Sequence, residues 1–248
     1  MTVRRDDDLR GLLDAGRVVR RCLIEMTRRV RAGITTSQLN QVGASVIRSN
    51  QARSAPMLVY GFPAEVCISV NEEIVHGIPS QRVLGEGDLV KLDVTVEKNG
   101  YVADAAVTIG VGTLSPVKQA LIACTERAFV RAMGVVRAGR RINEIGRIVE
   151  SEVRRSGFSV VRELTGHGVG RTIHEAPAVP NYDEPRARGR LTKGLVLAIE
   201  PIVSAGTGGS EESEDGWTIR TTDGSLAAHY EQTIVVTEDE PILVTAAA

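Results

Sequence analysis

The sequence predicts an α+β fold made of two similar halves, each running from helices into antiparallel strands. Two kinds of observation predict it. Residues spaced for one face of a helix give way to β-rich runs, and that succession then occurs a second time. Short segments also recur in the same order. Val30-Arg31-Ala32-Gly33 returns as Val136-Arg137-Ala138-Gly139, and His76-Gly77-Ile78-Pro79 is echoed by His174-Glu175-Ala176-Pro177. Six residues past Gly33 and Gly139 stand Leu39 and Ile145, with Val42 and Ile148 three further on. Gly87 leads in six residues to Asp93, and Gly194 leads in six to Glu200. Halves of about 9–112 and 115–243, related by a pseudo-two-fold axis, account for these matches. No Gly/Ser linker separates them, so 1–248 is expected to form one domain with a site between its halves.

The elements follow in order. Leu12, Ala15, Val19, Cys22, Met26 and Val30 recur on one helical face, and Gly33 supplies a C-terminal stop. Thr35 followed by Gln38 is a capping box for a second helix carrying Leu39, Val42, Val46 and Ile47. Residues 66–70 form a short β-rich run, and 89–96 and 101–111 form two more. The latter two meet at Lys98-Asn99-Gly100, and Asn-Gly between apolar runs predicts a tight hairpin. In the second half, Ser115-Pro116 starts a helix with proline at its first position, supported by Ala120, Leu121, Cys124 and Ala128. Ile145, Ile148, Val149 and Val153 mark another. Strand-like segments follow at 158–161, 194–203, 217–221 and 230–237, and the proline- and charge-rich stretch 177–190 reads as a loop.

Composition narrows the class. Of 248 residues, 42% are hydrophobic and 25% charged, as in an ordinary globular protein with a sizeable core. The net charge of −1 gives no global field toward nucleic acid or an anionic membrane. Arg17, Arg20, Arg21, Arg28, Arg29 and Arg31 read as a solvated helix face. Cys22, Cys67 and Cys124 form no CxxC pair, which excludes a zinc ribbon and fits reduced thiols. The first nine residues are polar and no apolar run approaches a membrane span, so a cytoplasmic protein is expected, with nothing demanding more than a monomer.

The chemistry lies in misplaced charges. With Asn99-Gly100 as the turn, Asp93 pairs with Ala106, and Asp104 becomes its diagonal neighbour on the same sheet face. Two carboxylates there repel, so they either face water or hold a cation. Glu200 ends the apolar run 194–199, and Glu231 precedes another, each at a strand position that requires a partner. Four such carboxylates with no basic run beside them suit a divalent cation. His167, flanked by glycines that let the backbone approach a bound group, adds a nitrogen donor. His76 and His174 head the two repeated H-x-x-P segments, whereas His229 reads as structural. No HExxH helix is present. Carboxylate-bridged metals would activate a water and polarise a carbonyl, giving amide or ester hydrolysis.

In these residues the chain resembles the type I methionine aminopeptidases. The resemblance runs from about Ala15 to Leu243, through Gly61-Phe62-Pro63, 66–71, His76-Gly77-Ile78-Pro79, 92–95, 166–171, His174-Glu175, Ile199-Glu200-Pro201, Asp215-Gly216-Trp217 and Tyr230-Glu231. It implies the pita-bread fold, a curved antiparallel sheet flanked by helices in two pseudo-symmetric halves. It implies two divalent metals, whether cobalt, manganese, iron, zinc or nickel, on Asp93, Asp104, His167, Glu200 and Glu231. Asp93 would bind one metal through both oxygens, and Asp104 and Glu231 would bridge the pair. His167 and Glu200 would hold the other, with Glu200 also shuttling the proton. His174 would meet the scissile carbonyl and His76 the substrate amide. Cys67, Phe62 and Trp217 would form the methionine pocket, with Val59 and Ile173 standing where the family commonly carries aromatics. The implied partner is the N-terminal methionine of nascent chains with a small second residue, a role that would bring transient contact with ribosomes. The same residues would also be compatible with a proline-type aminopeptidase of the same fold or a non-catalytic peptide-binding member of it.

Overall fold

A computed structural model describes residues 1–246, so the last two residues assigned to the domain lie outside the described part. The first half contains α1 (Asp6–Thr27), α2 (Thr36–Ser49), β1 (Arg53–Ser54), α3 (Ala55–Tyr60), β2 (Cys67–Val70), β3 (Glu73–Val75), β4 (Leu89–Lys98) and β5 (Tyr101–Gly110). The second contains α4 (Pro116–Met133), α5 (Ile142–Arg155), β6 (Ser159–Val160), β7 (Thr165–Gly168) and β8 (Glu175–Pro180). It continues with β9 (Val196–Ile199), β10 (Ile202–Ser204), β11 (Ser210–Glu212), β12 (Ile219–Thr221), β13 (Ala227–His229), β14 (Glu231–Val235) and β15 (Ile242–Leu243). This is the α+β pita-bread architecture, with antiparallel strands flanked by helices.

The main sheet runs β1-β4-β5-β14-β9-β7-β8, with β2 added to β4 and β15 to β14. β14 joins the halves, pairing with β5 through Glu231 and Ala106 and with β9 through Gln232 and Ile199. Helices cover one face. Leu12, Val19, Met26 and Leu39 of α1 and α2 pack with Leu92 and Val94 of β4 in one core. Leu121 and Phe129 of α4 and Val149 and Val153 of α5 pack with Leu197 and Ile234 in another. Strand alternation then sends Asp93 and Thr95, between those apolar residues of β4, to the opposite face. That period of two creates the site.

The hairpin forms in the expected register, Lys98 opposite Tyr101 and Asp93 opposite Ala106. Asn99 at φ 52 and Gly100 at φ 81 take the left-handed pair that a two-residue turn requires. Thr35 and Gln38 form their reciprocal cap, and Gln38 N–H donates to the Thr35 hydroxyl at 3.1 Å. The glycines of the two repeated segments make matching hydrogen bonds. Gly33 N–H donates to the Leu84 carbonyl at 2.9 Å, and Gly139 N–H to that of Leu191 at 2.8 Å.

Two expectations need correction. α1 stops at Thr27, so Val30 and Gly33 lie beyond it. The pairing of Gly33 and Ile34 with Leu84 claims the backbone groups that another helical turn would use. The segment 177–190 is not all loop, because Pro177 to Pro180 belong to β8. β8 is an edge strand, where prolines that cannot donate cost no ladder bond on the open side. No helix of the described residues is long and apolar enough to cross a membrane.

Candidate active site

Asp93, Asp104, His167, Glu200 and Glu231 line one cavity, together with His76, His174, Phe62, Cys67, Trp217 and Ile173. Each arrives from a different local cause. Asp93 and Asp104 share the inner face of the β4–β5 hairpin, and Cys67 on β2 sits opposite Asp93. Glu200 follows the last residue of β9, where Pro201 interrupts the strand. Asn181 Nδ2 donates to the Glu200 carbonyl at 2.8 Å and holds that break in place. Glu231 opens β14 and His167 lies in β7.

Two neighbouring threonines fix Asp104. Thr95 Oγ1 donates to Asp104 Oδ1 at 2.8 Å. The Asp104 backbone exchanges two hydrogen bonds with the Thr233 hydroxyl, each 2.8 Å, which ties the hairpin to β14.

The glycines beside His167 serve a different purpose from the expected one. A Cβ on Gly166 would lie 2.5 Å from the Ala198 carbonyl oxygen of β9, and one on Gly168 would strike the Ala176 carbonyl of β8. They admit neighbouring strands, not a ligand.

The electrostatics suit a cation. Asp104, Glu200 and Glu231 are buried and Asp93 partly so. Burial pushes the Asp104, Glu200 and Glu231 carboxyls well above the usual carboxylate range, and their mutual repulsion adds to it. Asp93 also rises through burial, against an opposing pull from His229 and Asp104. Glu231 Oε1 is buried with no hydrogen-bond partner among the described residues. His167 Nε2 lies 3.4 Å from Glu200 Oε1, and its Nδ1 reaches the Gly168 carbonyl at 2.9 Å. That contact places the ring proton on Nδ1 and leaves the Nε2 lone pair facing the acids. Burial pulls His167 down to about 4, so it is a neutral nitrogen donor. Donor atoms of Asp104, His167 and Glu231 fall within 4.8 Å of one another, and so do those of Asp93, His229 and Glu231. This set of oxygens with imidazole nitrogens fits a divalent metal.

Beside it is an apolar recess. The rings of Phe62 and Trp217 meet edge to face at 5.2 Å, against Cys67 and Ile78. Burial raises the Cys67 thiol, which stays protonated as an apolar wall. His174 lies at the mouth with its ring 4.2 Å from that of His167. Partial burial and His76 lower its pKa, while burial and His229 lower that of His76.

Val59 is the exception among the predicted residues. It stands on α3 at 47% exposure and does not line the cavity. Two titratable side chains also line the cavity without an expected role there. Tyr60 bonds through its hydroxyl to His174 Nδ1 at 2.6 Å, and His229 projects among the acids. For His229 a signal existed: two residues before Glu231 is the spacing that shares a strand face.

Comparison with known proteins agrees with this geometry. The profile of metallopeptidase family M24 matches residues 10–238. "Methionine aminopeptidase 2" of Bacillus subtilis (strain 168) is 41% identical over 247 residues, 99% of each chain. The methionine aminopeptidase of Clostridium perfringens (strain 13 / Type A) is 38% identical over 243 residues, 98% of each. The crystal structure of methionine aminopeptidase from Thermotoga maritima superposes with a TM-score of 0.96 at 34% identity, covering all of both chains. Prolidase from Pyrococcus furiosus gives 0.80 at 18% identity, with 66% of that chain covered, a likeness of fold alone. The chain belongs to metallopeptidase family M24, on the side of its methionine aminopeptidases.

Proposed function

We propose that this metalloaminopeptidase removes the initiator methionine from nascent chains whose second residue is small, and that two divalent metals serve it. The observation that carries this is the set of sequestered carboxylates and His167 set directly against the Phe62, Cys67 and Trp217 recess. A recess of sulfur and aromatic edges suits a thioether side chain.

Asp93 would chelate one metal, Asp104 and Glu231 would bridge, and His167 and Glu200 would hold the second. When bound, the pair supplies an acidified water and a polarised carbonyl. The chain's own groups do the rest. Glu200 accepts the proton of the attacking water as its oxygen bonds to the scissile carbon, then delivers it to the amine as the C–N bond breaks. Tyr60 donates to His174 Nδ1, which leaves Nε2–H free to donate to the carbonyl oxygen as charge develops there. His76 lines the same space and would contact the substrate amide. Cobalt, manganese, iron, zinc and nickel all accept such donors, and availability decides among them. The reading places the enzyme in the cytoplasm, as one catalytic domain acting as a monomer in transient contact with ribosomes.

The test is methionine release from Met-Ala and Met-Leu peptides by the metal-loaded protein. Release from Met-Ala well above Met-Leu is expected. No release with any of the five metals would overturn the reading. Preference for peptides with N-terminal proline would move the assignment to the proline-type enzymes.

A further inference from the structure

We infer that His229 is a sixth donor of the metal centre, giving an imidazole nitrogen to the metal on the Asp93 side. This rests on the dinuclear reading above and extends it to a residue outside the five.

Four observations converge on it. His229 is 1% exposed, and neither ring nitrogen has a hydrogen-bond partner among the described residues. Such orphaned atoms in a buried polar cluster point to a bound water or ion. Its Nε2 lies 3.5 Å from Glu200 Oε2 and 3.6 Å from Glu231 Oε2. Those are long for hydrogen bonds. The Glu231 separation matches two donors on one tetrahedral cation, which stand about 3.4 Å apart when each bond is about 2.1 Å, while Glu200 belongs to the neighbouring metal.

Grouping gives the third. The donor atoms divide into Asp93, His229 and Glu231 on one side and Asp104, His167 and Glu231 on the other. Glu231 is common to both, as a bridge would be, and each group has one histidine. Without His229 the Asp93 side would hold oxygens alone, a harder site than its neighbour.

The duplication gives the fourth. Asp104 pairs with Thr95, two residues after Asp93. His229 pairs with Ile202, two residues after Glu200. The second half therefore puts His229 where the first half puts a ligand. Strands β10 and β13 hold it there, and its backbone N–H donates to Thr108 Oγ1 at 2.8 Å.

The experiment uses the full chain, stripped of metal and titrated with cobalt(II). Proton spectra record the shifted, exchangeable ring N–H signals, one for each ligated imidazole, while calorimetry counts bound cobalt. The wild type should bind two cobalt ions and show two such signals. His229→Gln should retain one signal and weaken one of the two cobalt equivalents by more than about ten-fold. His167→Ala should lose the other signal. Two bound cobalt ions with one ring N–H signal in the wild type would overturn the inference and leave the dinuclear reading standing. That wild-type result requires no variant to fold. Fewer than two bound cobalt ions would overturn both.

Discussion

Replacing Tyr60 with phenylalanine isolates one hydrogen bond at the mouth of the site. Tyr60→Phe keeps the ring, which lies 5.6 Å from that of His174, and removes only the hydroxyl at 2.6 Å from Nδ1. A typical intramolecular hydrogen bond contributes a net of about 0.5–1.5 kcal/mol. Tyr60 is 47% exposed and His174 is also at the surface, so water can replace part of the lost contact. The lower half of the range applies, about 0.5–1 kcal/mol, which corresponds to a roughly two- to five-fold loss of rate. If the hydroxyl fixes the His174 tautomer for the transition state, the loss appears in kcat and leaves KM nearly unchanged. The assay is steady-state release of methionine from a Met-Ala peptide, with His174→Ala measured alongside. That second variant removes the donor itself and should cost about 100-fold or more. An unchanged kcat in Tyr60→Phe, or a loss as large as that of His174→Ala, would refute the positioning role.

Asp104→Ala should abolish metal loading together with turnover, because a bridging carboxylate serves both ions; full metal occupancy by elemental analysis would contradict it. Gly166→Ala should force β7 from β9, given the 2.5 Å approach to the Ala198 carbonyl, at a cost of about 1–3 kcal/mol. Thermal denaturation should show a Tm lower by about 2–4 °C for each kcal/mol, and an unchanged Tm would show that the strands can part freely. The stabilisation conferred by metal should grow as pH rises above the ordinary carboxylate range. In the metal-free protein Asp93, Asp104, Glu200 and Glu231 keep protons to higher pH than in the unfolded chain, so their contribution to stability is lost as pH rises. Metal requires those groups ionised, and it therefore offsets a loss that increases with pH. His167 and His229, pulled down to about 4, affect stability only up to their ordinary 6.5. A gap between loaded and metal-free Tm that narrows from pH 7 upward would contradict this.

Much of the site is legible in the sequence because it depends on short-range rules. Asn99-Gly100 sets the hairpin register, and that register alone makes Asp93 and Asp104 diagonal neighbours. Glu200 and Glu231 stand out because each charge abuts an apolar run. The duplicated segments give the two halves without any knowledge of contacts. Long-range packing is what hides the remainder. His229 has a local signal in its spacing from Glu231, but what brings it to the acids is the pairing of β13 with β10. Tyr60 meets His174 across 114 residues. The end of α1 depends on Leu84 competing for backbone, and the strand within 177–190 exists only because β8 has an open edge. The glycines beside His167 show a subtler failure. Their small size was legible, but the atoms that require it belong to β8 and β9.

The most direct test of the metal centre is an anomalous difference map from crystals loaded with manganese or cobalt. The account predicts two peaks between Asp93, Asp104, His167, Glu200 and Glu231, with Glu231 touching both. An empty cluster, or metal bound only outside these five side chains, would contradict it.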